Sequence, residues 1–332
     1  MKNVHQHQPK IHFSAFVLVS IFFCFQTVLS TTIFGASENP QKEYFRMVVL
    51  GDPHLPGNRP EAKKAVINEI NSWKDVDFVA VVGDLTQTTG TANEYAYAKK
   101  ILAGVKAPLL LVNGNHDYVF SDSEYVNNGV FKITTSEERN QKLDRFMKTF
   151  DMQELSYSKN IGRYHLIFLS LDSLDGKTYA RLSEERLKWL EWELFHNKDK
   201  KTLIFTHAPL WTPQFTCTNP KLAHFITQPQ DRLLKLVQDN PQIVLWVSGH
   251  VHLGALNSNS VGPVNKLGQT TVINNCDLDG RSILSGSDMN IESHSTIWTT
   301  SLYLFPNKIQ VKVFDHTQQK WLDELSREFP LN

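Results

Sequence analysis

Polar residues of the types that bind metal ions occur at five places along the chain, each directly after a short apolar run. The five segments are Asp52-Pro53-His54, Gly83-Asp84, Gly114-Asn115-His116-Asp117, His207 and Gly249-His250-Val251-His252. The apolar runs before them predict buried strands, and the carboxyl ends of strands in an open α/β sheet are where such folds bind ligands. We therefore expect these side chains, which are distant in sequence, to meet at one edge.

Together the five segments offer oxygen and nitrogen ligands and no sulfur. Carboxylates, an amide oxygen and imidazoles suit Mn, Fe, Zn or similar ions, and no cysteine falls in any of the segments. The pairs Asp52/His54 and His250/His252 have a two-residue spacing, which in extended backbone points both side chains the same way. A lone polar residue after a strand usually forms a turn, but five such segments together predict a metal site.

Strands and helices alternate around these segments. The predicted strands are 45–50, 78–82, 109–112, 164–171, 202–205 and 243–247, and the predicted helices are 60–73, 91–103, 137–150, 183–195 and 231–237. Such alternation is typical of a mostly parallel sheet with crossover helices. The strands are continuous apolar runs, which indicates that both of their faces are buried.

The remaining parts of the chain carry weaker patterns. Residues 118–136 and 208–228 are predicted to be irregular, and 270–314 to hold three short segments typical of antiparallel strands. Asp277 follows one of these segments, where it either supports the site from behind or forms a turn. Because the candidate ligands come from both halves of the chain, residues 44–332 are predicted to form one domain.

The N-terminus has the pattern of a targeting segment. Lys2 and Lys10 precede or adjoin an apolar run over 11–29, and Ser30 offers a small residue at a cleavage position. This pattern predicts that 1–30 are a secretory signal peptide, that 31–43 are a linker, and that the protein is exported to the periplasm or secreted. The alternative is an uncleaved membrane anchor, since about 20 apolar residues span a bilayer.

Composition limits the partners of the chain. Its 332 residues include 34 Lys+Arg and 34 Asp+Glu, so no polybasic surface for nucleic acid is indicated. We expect no stable membrane contact if the signal is cleaved. Cleavage would leave Cys217 and Cys276, which either pair in an oxidising compartment or remain free thiols.

The order of the polar segments resembles that of the calcineurin-like metallophosphoesterases. That family carries D-x-H, G-D, G-N-H-[DE], H and G-H-x-H in sequence, and this chain shows GDPH, GDLT, GNHD, THAP and GHVH in the same order between residues 51 and 252. The resemblance implies an α/β fold, a four-layer α/β/β/α sandwich of two mixed sheets flanked by helices.

The resemblance also implies a role for each residue and two divalent or trivalent metal ions as cofactors. One ion would bind Asp52, His54 and His252, the second would bind Asn115, His207 and His250, and Asp84 would bridge them. A hydroxide between the ions would attack phosphorus, and His116 would protonate the leaving group or stabilise its charge. Gln87 and Asp117 would lie just behind; Gln87 stands where many relatives have an acid that orients the histidine.

The implied activity is hydrolysis of a small-molecule, lipid or nucleotide phosphoester. The stretch GDLTQTTG, followed by a helix containing EYA, looks most like the bacterial cyclic-nucleotide phosphodiesterase-like branch, which favours diesters. It lacks the Asp and Arg of the protein phosphatase branch, and Gln87 replaces the tyrosine of purple acid phosphatases. A phosphomonoesterase and a non-catalytic metal-binding scaffold are the alternatives.

Overall fold

The computed structural model describes residues 42–126, 130–212, 222–257, 265–284 and 291–331. The strands are β1 Phe45–Leu50, β2 Val76–Val82, β3 Leu109–Val112, β4 Phe120–Val126, β5 Val130–Ile133, β6 Tyr157–Ile161, β7 Tyr164–Leu169, β8 Lys201–Thr206, β9 Ile243–Ser248, β10 Lys266–Leu267, β11 Thr270–Asn274, β12 Arg281–Ser282, β13 Glu292–Ser293, β14 Trp298–Leu304, β15 Lys308–Asp315, β16 Lys320–Trp321 and β17 Arg327–Pro330. The helices are α1 Pro60–Ile70, α2 Ala92–Leu102, α3 Asn115–Tyr118, α4 Ser136–Thr149, α5 Glu184–His196, α6 Leu222–Phe225 and α7 Gln230–Asp239, with a 3₁₀ turn at Asp323–Leu325.

Two large mixed sheets carry the fold. The first has the strand order β16-β15-β14-β1-β2-β3, with β17 beside β15, and the second has the order β10-β11-β9-β8-β7-β6. The strands β1, β2 and β3 run parallel, as do β7, β8, β9 and β11. Antiparallel strands flank these blocks, among them β14 beside β1 and β6 beside β7.

The two sheets pack face to face with helices outside, which confirms the predicted four-layer α/β/β/α sandwich. Side chains alternate along a strand, so Met47 and Val49 of β1 enter the core between the sheets. Val48 and Leu50 point the other way and pack in a separate core that contains the apolar faces of the helices. Both faces of the central strands are therefore buried, as their continuous apolar runs predict.

Helix ends follow the local sequence. Helix α2 begins after Thr91, whose side chain accepts a hydrogen bond from the Glu94 amide while the Glu94 carboxylate bonds back to the Thr91 amide. Helix α5 begins after Ser183, whose hydroxyl accepts from the Arg186 amide. These caps satisfy amides that have no partner within the helix.

Two predictions about the less regular segments are wrong. Residues 118–136 are not irregular, because they contain the β4–β5 pair; the Asn-Gly dipeptide between those strands in the sequence was the missed hairpin signal. The segment after residue 270 is not wholly antiparallel, because β11 lies parallel to β9 and extends the second sheet. Strands β14 and β15 are antiparallel, as expected.

Several predictions lie outside the described residues. They are the signal peptide or anchor at 1–30, the linker up to residue 41, and Cys217, while Cys276 is buried. The chain forms one compact unit from Lys42 onwards. Within the described ranges, no helix combines the length and apolar character needed to cross a bilayer.

Candidate metal centre and active site

The predicted ligands meet where the parallel strands of both sheets end. The first sheet supplies Asp52 and His54 after β1, Asp84 after β2 and Asn115 after β3; the second supplies His207 after β8 and His250 and His252 after β9. All of these side chains are buried. The site thus lies across the carboxyl edges of two sheets, whereas the sequence was interpreted in terms of one edge.

Four of these residues form a first group. Asp52, His54, Asp84 and His252 each offer a ligand atom, and these atoms all lie within 4.8 Å of one another. His54 Nε2 is 3.4 Å from His252 Nε2 and 3.8 Å from Asp84 Oδ2. His252 Nε2 is 3.8 Å from Asp52 Oδ1. This is the set predicted for one ion.

A second group shares one member with the first. Asp84, His207 and His250 also bring ligand atoms within 4.8 Å of one another. His207 Nε2 lies 3.3 Å from Asp84 Oδ2 and 2.9 Å from the amide oxygen of Asn115. Because Asp84 belongs to both groups, its carboxylate occupies the place expected of a bridging ligand.

The ligand-bearing loops adopt left-handed backbone conformations. The φ angle is 40° at Asp52, 41° at His54, 47° at Asp84, 68° at His250 and 49° at His252. This corrects the expectation that extended backbone aligns the pairs at two-residue spacing. Non-glycine residues seldom adopt positive φ, and such positions cluster at functional sites.

Two glycines allow the backbone to approach the carboxylates closely. A Cβ atom at Gly249 would lie 2.1 Å from Asp52 Oδ2, and one at Gly114 would lie 2.2 Å from Asp84 Oδ1. Any other residue at these positions would collide with the ligand atoms. Gly249 and Gly114 are therefore required, because the backbone at each position lies in contact with a ligand carboxylate.

Backbone amides hold one side of each carboxylate. Both oxygens of Asp52 accept from the His250 amide at 3.0 Å, which links the loops after β1 and β9. Asp84 Oδ1 accepts from the His116 amide at 2.8 Å. Asp84 Oδ2 remains directed towards His54 and His207.

The histidine rings are oriented by acceptors behind them. His207 Nδ1 donates to the Val82 carbonyl at 2.9 Å, and His250 Nε2 donates to the His224 carbonyl at 2.9 Å. His252 Nδ1 lies 2.7 Å from Asp277 Oδ2. In each ring the other nitrogen is left to bind a metal, and such partners fix both the ring and its tautomer.

The atoms of the two ligand groups are of the types that bind metal ions. His207 Nε2 lies 2.9 Å from Asn115 Oδ1, and His54 Nε2 lies 3.4 Å from His252 Nε2. When these ring nitrogens are deprotonated, all four atoms are hydrogen-bond acceptors, and they approach one another favourably only around a cation. A cation between such atoms satisfies all of them. Oxygen and imidazole ligands suit Mn, Fe or Zn.

The buried carboxylates favour protonation of two of these rings when no metal is bound. Burial disfavours the imidazolium of His207, but Asp84 and Asp52 outweigh it and raise its pKa to about 9. Burial likewise opposes the charge on His252, but Asp277 and Asp52 raise its pKa to about 9. Metal binding therefore displaces protons from both rings.

His116 lies at the rim of the ligand groups and is half-buried. Its Nδ1 is 2.7 Å from the Thr88 carbonyl oxygen, which leaves Nε2 for proton transfer. Burial lowers its pKa, while Asp84 opposes that shift. The expected role of Gln87 needs correction, since the backbone carbonyl of Thr88 orients the ring and Gln87 Oε1 instead accepts from the Gly57 amide at 3.0 Å.

Asp117 joins the loops that carry Asp84 and His116. Its carboxylate accepts from the amides of Gly114 at 2.7 Å, Thr86 at 2.9 Å and Leu85 at 3.2 Å. Burial and the nearby charge of Asp84 raise its pKa to about 7. Asp117 therefore holds the ligand loops together without being among the ligand groups.

The sequence interpretation missed a buried lysine that supports the first group. Lys63 Nζ donates to the carbonyl of His54 at 3.0 Å, to that of Pro56 at 3.2 Å and to Asp279 Oδ1 at 2.5 Å. The contacts fasten the loop after β1 to the loop after β11. The signal was present, because position 63 falls on the same face of α1 as Val66, Ile67 and Ile70.

We expect Asp277→Asn to weaken metal binding at the first group by about 10–100-fold, the usual effect of losing a partner behind a ligating histidine. The measurement is a metal titration of stripped protein. Asp151→Asn is the matched control, because Asp151 is an exposed carboxylate paired with Lys99. Equal affinities of the Asp277 variant and wild type would contradict this role.

A four-layer α/β fold with two ligand groups sharing one carboxylate defines a binuclear metallohydrolase. The model of the calcineurin-like phosphoesterase family matches residues 45–254. The chain belongs to this family, whose members use a binuclear metal centre and act on phosphate esters.

Curated relatives include phosphodiesterases. The chain is 29% identical over 222 residues to a probable glycerophosphodiester phosphodiesterase GpdQ of Arcobacter nitrofigilis, covering 62% of this chain and 71% of that one. It is 28% identical over 188 residues to the glycerophosphodiester phosphodiesterase GpdQ of Enterobacter lignolyticus, covering 56% and 60%. It is 26% identical over 199 residues to a probable cyclic nucleotide phosphodiesterase of Ruthia magnifica, covering 58% and 68%.

Solved structures share the fold. A purple acid phosphatase from yellow lupin seeds superposes with a TM-score of 0.54 at 15% identity, covering 87% of this chain and 54% of that one. A dimetal phosphatase from Danio rerio superposes with a TM-score of 0.54 at 11% identity, covering 83% and 97%.

Proposed function

We propose that this chain is a metal-dependent phosphodiesterase that hydrolyses small-molecule phosphodiesters. The observation that carries the proposal is the position of Asp84 in both ligand groups. His116 lies beside them, with its backbone amide bonded to the same carboxylate. The relatives named as phosphodiesterases favour a diester over a monoester.

The residues of the chain have distinct tasks in this reaction. When held by the two ligand groups, two cations would supply the positive charge that polarises the phosphoryl group and lowers the pKa of a water. The carboxylates of Asp52 and Asp84 would bind these cations, and each carboxylate accepts a hydrogen bond from a backbone amide. His116, held through Nδ1 by the Thr88 carbonyl, donates a proton from Nε2 to the leaving oxygen.

A paired substrate assay tests diester against monoester hydrolysis. The stripped protein is reloaded with Mn, Fe or Zn and assayed with bis(p-nitrophenyl) phosphate and p-nitrophenyl phosphate, which release the same phenol. We expect the larger kcat/KM with the diester. A larger value with the monoester would establish the phosphomonoesterase alternative, and no turnover with any metal would favour the non-catalytic scaffold.

We also propose that the protein is exported with residues 1–30 as a cleaved signal and that lipid-derived or nucleotide diesters are its natural substrates. The charge and apolar pattern of the first 30 residues supports export. The names of the relatives support both substrate types. N-terminal sequencing of the mature protein should begin after Ser30; an intact N-terminus in the membrane fraction would instead show an anchor over 11–29.

A further inference from the structure

Three aromatic side chains form an arc beside His116, and none of them belongs to the motifs. Phe120 comes from β4, Phe131 from β5, and Tyr179 from the segment ahead of α5. Phe120 lies 5.0 Å from Phe131 and 5.3 Å from Tyr179 between ring centroids. We call Phe120, Phe131 and Tyr179 the aromatic arc.

The aromatic arc touches the group assigned to proton transfer. The His116 ring centroid lies 5.1 Å from that of Phe120 and 5.3 Å from that of Phe131, both in edge-to-face geometry. The His116 ring also lies 5.0 Å from the ring of His54. His116 therefore contacts both the first ligand group and the aromatic arc.

The other end of the aromatic arc approaches the second ligand group. The ring of Tyr179 lies 4.4 Å from that of His224. The carbonyl of His224 accepts from His250 Nε2 at 2.9 Å. The aromatic arc thus extends along one side of the site, from the proton donor to a metal ligand.

The three rings of the aromatic arc differ in burial. Phe120 is buried, whereas Phe131 and Tyr179 are only partly buried. Aromatic rings that pack for stability usually bury most of their area. Phe131 and Tyr179 both pack against the hydrophobic core, and the part of each ring that stays exposed is an apolar surface near the proton donor.

The chemistry of the reaction decides what that surface contacts. Water oxygen loses one proton to solvent and forms a bond to phosphorus, the bond from phosphorus to one ester oxygen breaks, and the His116 proton passes to that oxygen. The imidazole then regains a proton from solvent. The departing alcohol must then lie within hydrogen-bond reach of His116, and so next to the rings that flank it. The non-leaving alcohol has no such constraint.

We infer that the aromatic arc is the subsite of the leaving alcohol and selects diesters whose leaving alcohol carries a planar apolar ring. This inference rests on the proposed phosphodiesterase function. A ring of this kind stacks on aromatic side chains, whereas a small polyol gains little from them. The aromatic arc thus favours release of aryl, benzyl or nucleoside alcohols over glycerol or methanol.

The test uses a substrate that makes the two alcohols compete within one molecule. Benzyl methyl phosphate carries two ester arms whose alcohols have similar acidity, and hydrolysis by the metal-loaded protein releases benzyl alcohol or methanol. We expect wild type to release mainly benzyl alcohol. Phe131→Leu and Tyr179→Leu should each lower the ratio of benzyl alcohol to methanol about tenfold, a typical effect of removing one stacking ring.

Two further variants separate stacking from general damage. Tyr179→Phe keeps the ring and should keep the ratio. Trp192→Leu removes an exposed aromatic on α5 and should also leave the ratio at the wild-type value. Because the ratio is internal to one substrate, it does not depend on metal loading or on the fraction of folded protein.

The outcomes distinguish the inference from the proposed function. Hydrolysis with equal ratios in wild type, Phe131→Leu and Tyr179→Leu would overturn the aromatic arc as a subsite while leaving the phosphodiesterase intact. A wild-type protein that releases mainly methanol would overturn it as well. If the protein hydrolyses neither this diester nor bis(p-nitrophenyl) phosphate, the phosphodiesterase function itself is overturned.

Discussion

Asp84→Ala is expected to abolish turnover of every phosphoester, with a loss of roughly 10³-fold or more in kcat/KM. Asp84 Oδ2 lies 3.3 Å from His207 Nε2 and 3.8 Å from His54 Nε2, so its removal takes a ligand from both groups at once. Charge stabilisation by metal ions contributes several kcal/mol, and each 1.36 kcal/mol is about tenfold in rate. Steady-state assays with both nitrophenyl substrates measure the loss.

A matched substitution shows whether that loss belongs to the site. Asp151→Ala removes an exposed carboxylate that pairs with Lys99, and it should retain wild-type activity. Thermal unfolding of the metal-free forms checks that the Asp84 variant is folded. If folded Asp84→Ala keeps full activity, the assignment of a binuclear metal site is wrong.

His116→Ala should slow hydrolysis according to the leaving group. Loss of a general acid costs about 10²–10⁴-fold where the leaving oxygen needs a proton. A p-nitrophenol leaving group departs as the anion and needs little help, so its loss should be much smaller than that for an alkyl alcohol. The measurement is kcat for a series of diesters with leaving alcohols of increasing pKa.

The slope of that series is the decisive quantity. Wild type should show weak dependence on the leaving-group pKa, and His116→Ala a steep one. His196→Ala is the control, because His196 lies at the end of α5 and bonds to the Trp192 carbonyl. If His116→Ala lowers every rate by the same factor, the imidazole steadies charge and does not donate the proton.

The ligand groups were predictable because each ligand adjoins a strand. The apolar runs predicted strands 45–50 and 109–112 with the bounds that the structure shows. Parallel strands bring their carboxyl ends together. Asp52 and Asp84 therefore had to lie close to one another once the sheet order β1-β2-β3 was set. Family motifs then indicated which ligands belong to the same ion.

Partners from distant loops were not predictable in the same way. The sequence left Asp277 open between a supporting role and a turn, and it placed Lys63 on the apolar face of α1. Their partners are set only when the loops after β1, β9 and β11 pack together. The acceptor for His116 is a backbone carbonyl, at Thr88, which residue types do not indicate. The left-handed conformation of His54 likewise depends on its tertiary surroundings rather than on residue preference.

Metal positions in crystals of the loaded protein, located by anomalous scattering, test the central claim most directly. We expect two ions roughly 3.5–4 Å apart, one on Asp52, His54 and His252, the other on Asn115, His207 and His250, with Asp84 touching both. A single ion, or two ions of which only one contacts Asp84, would contradict the account.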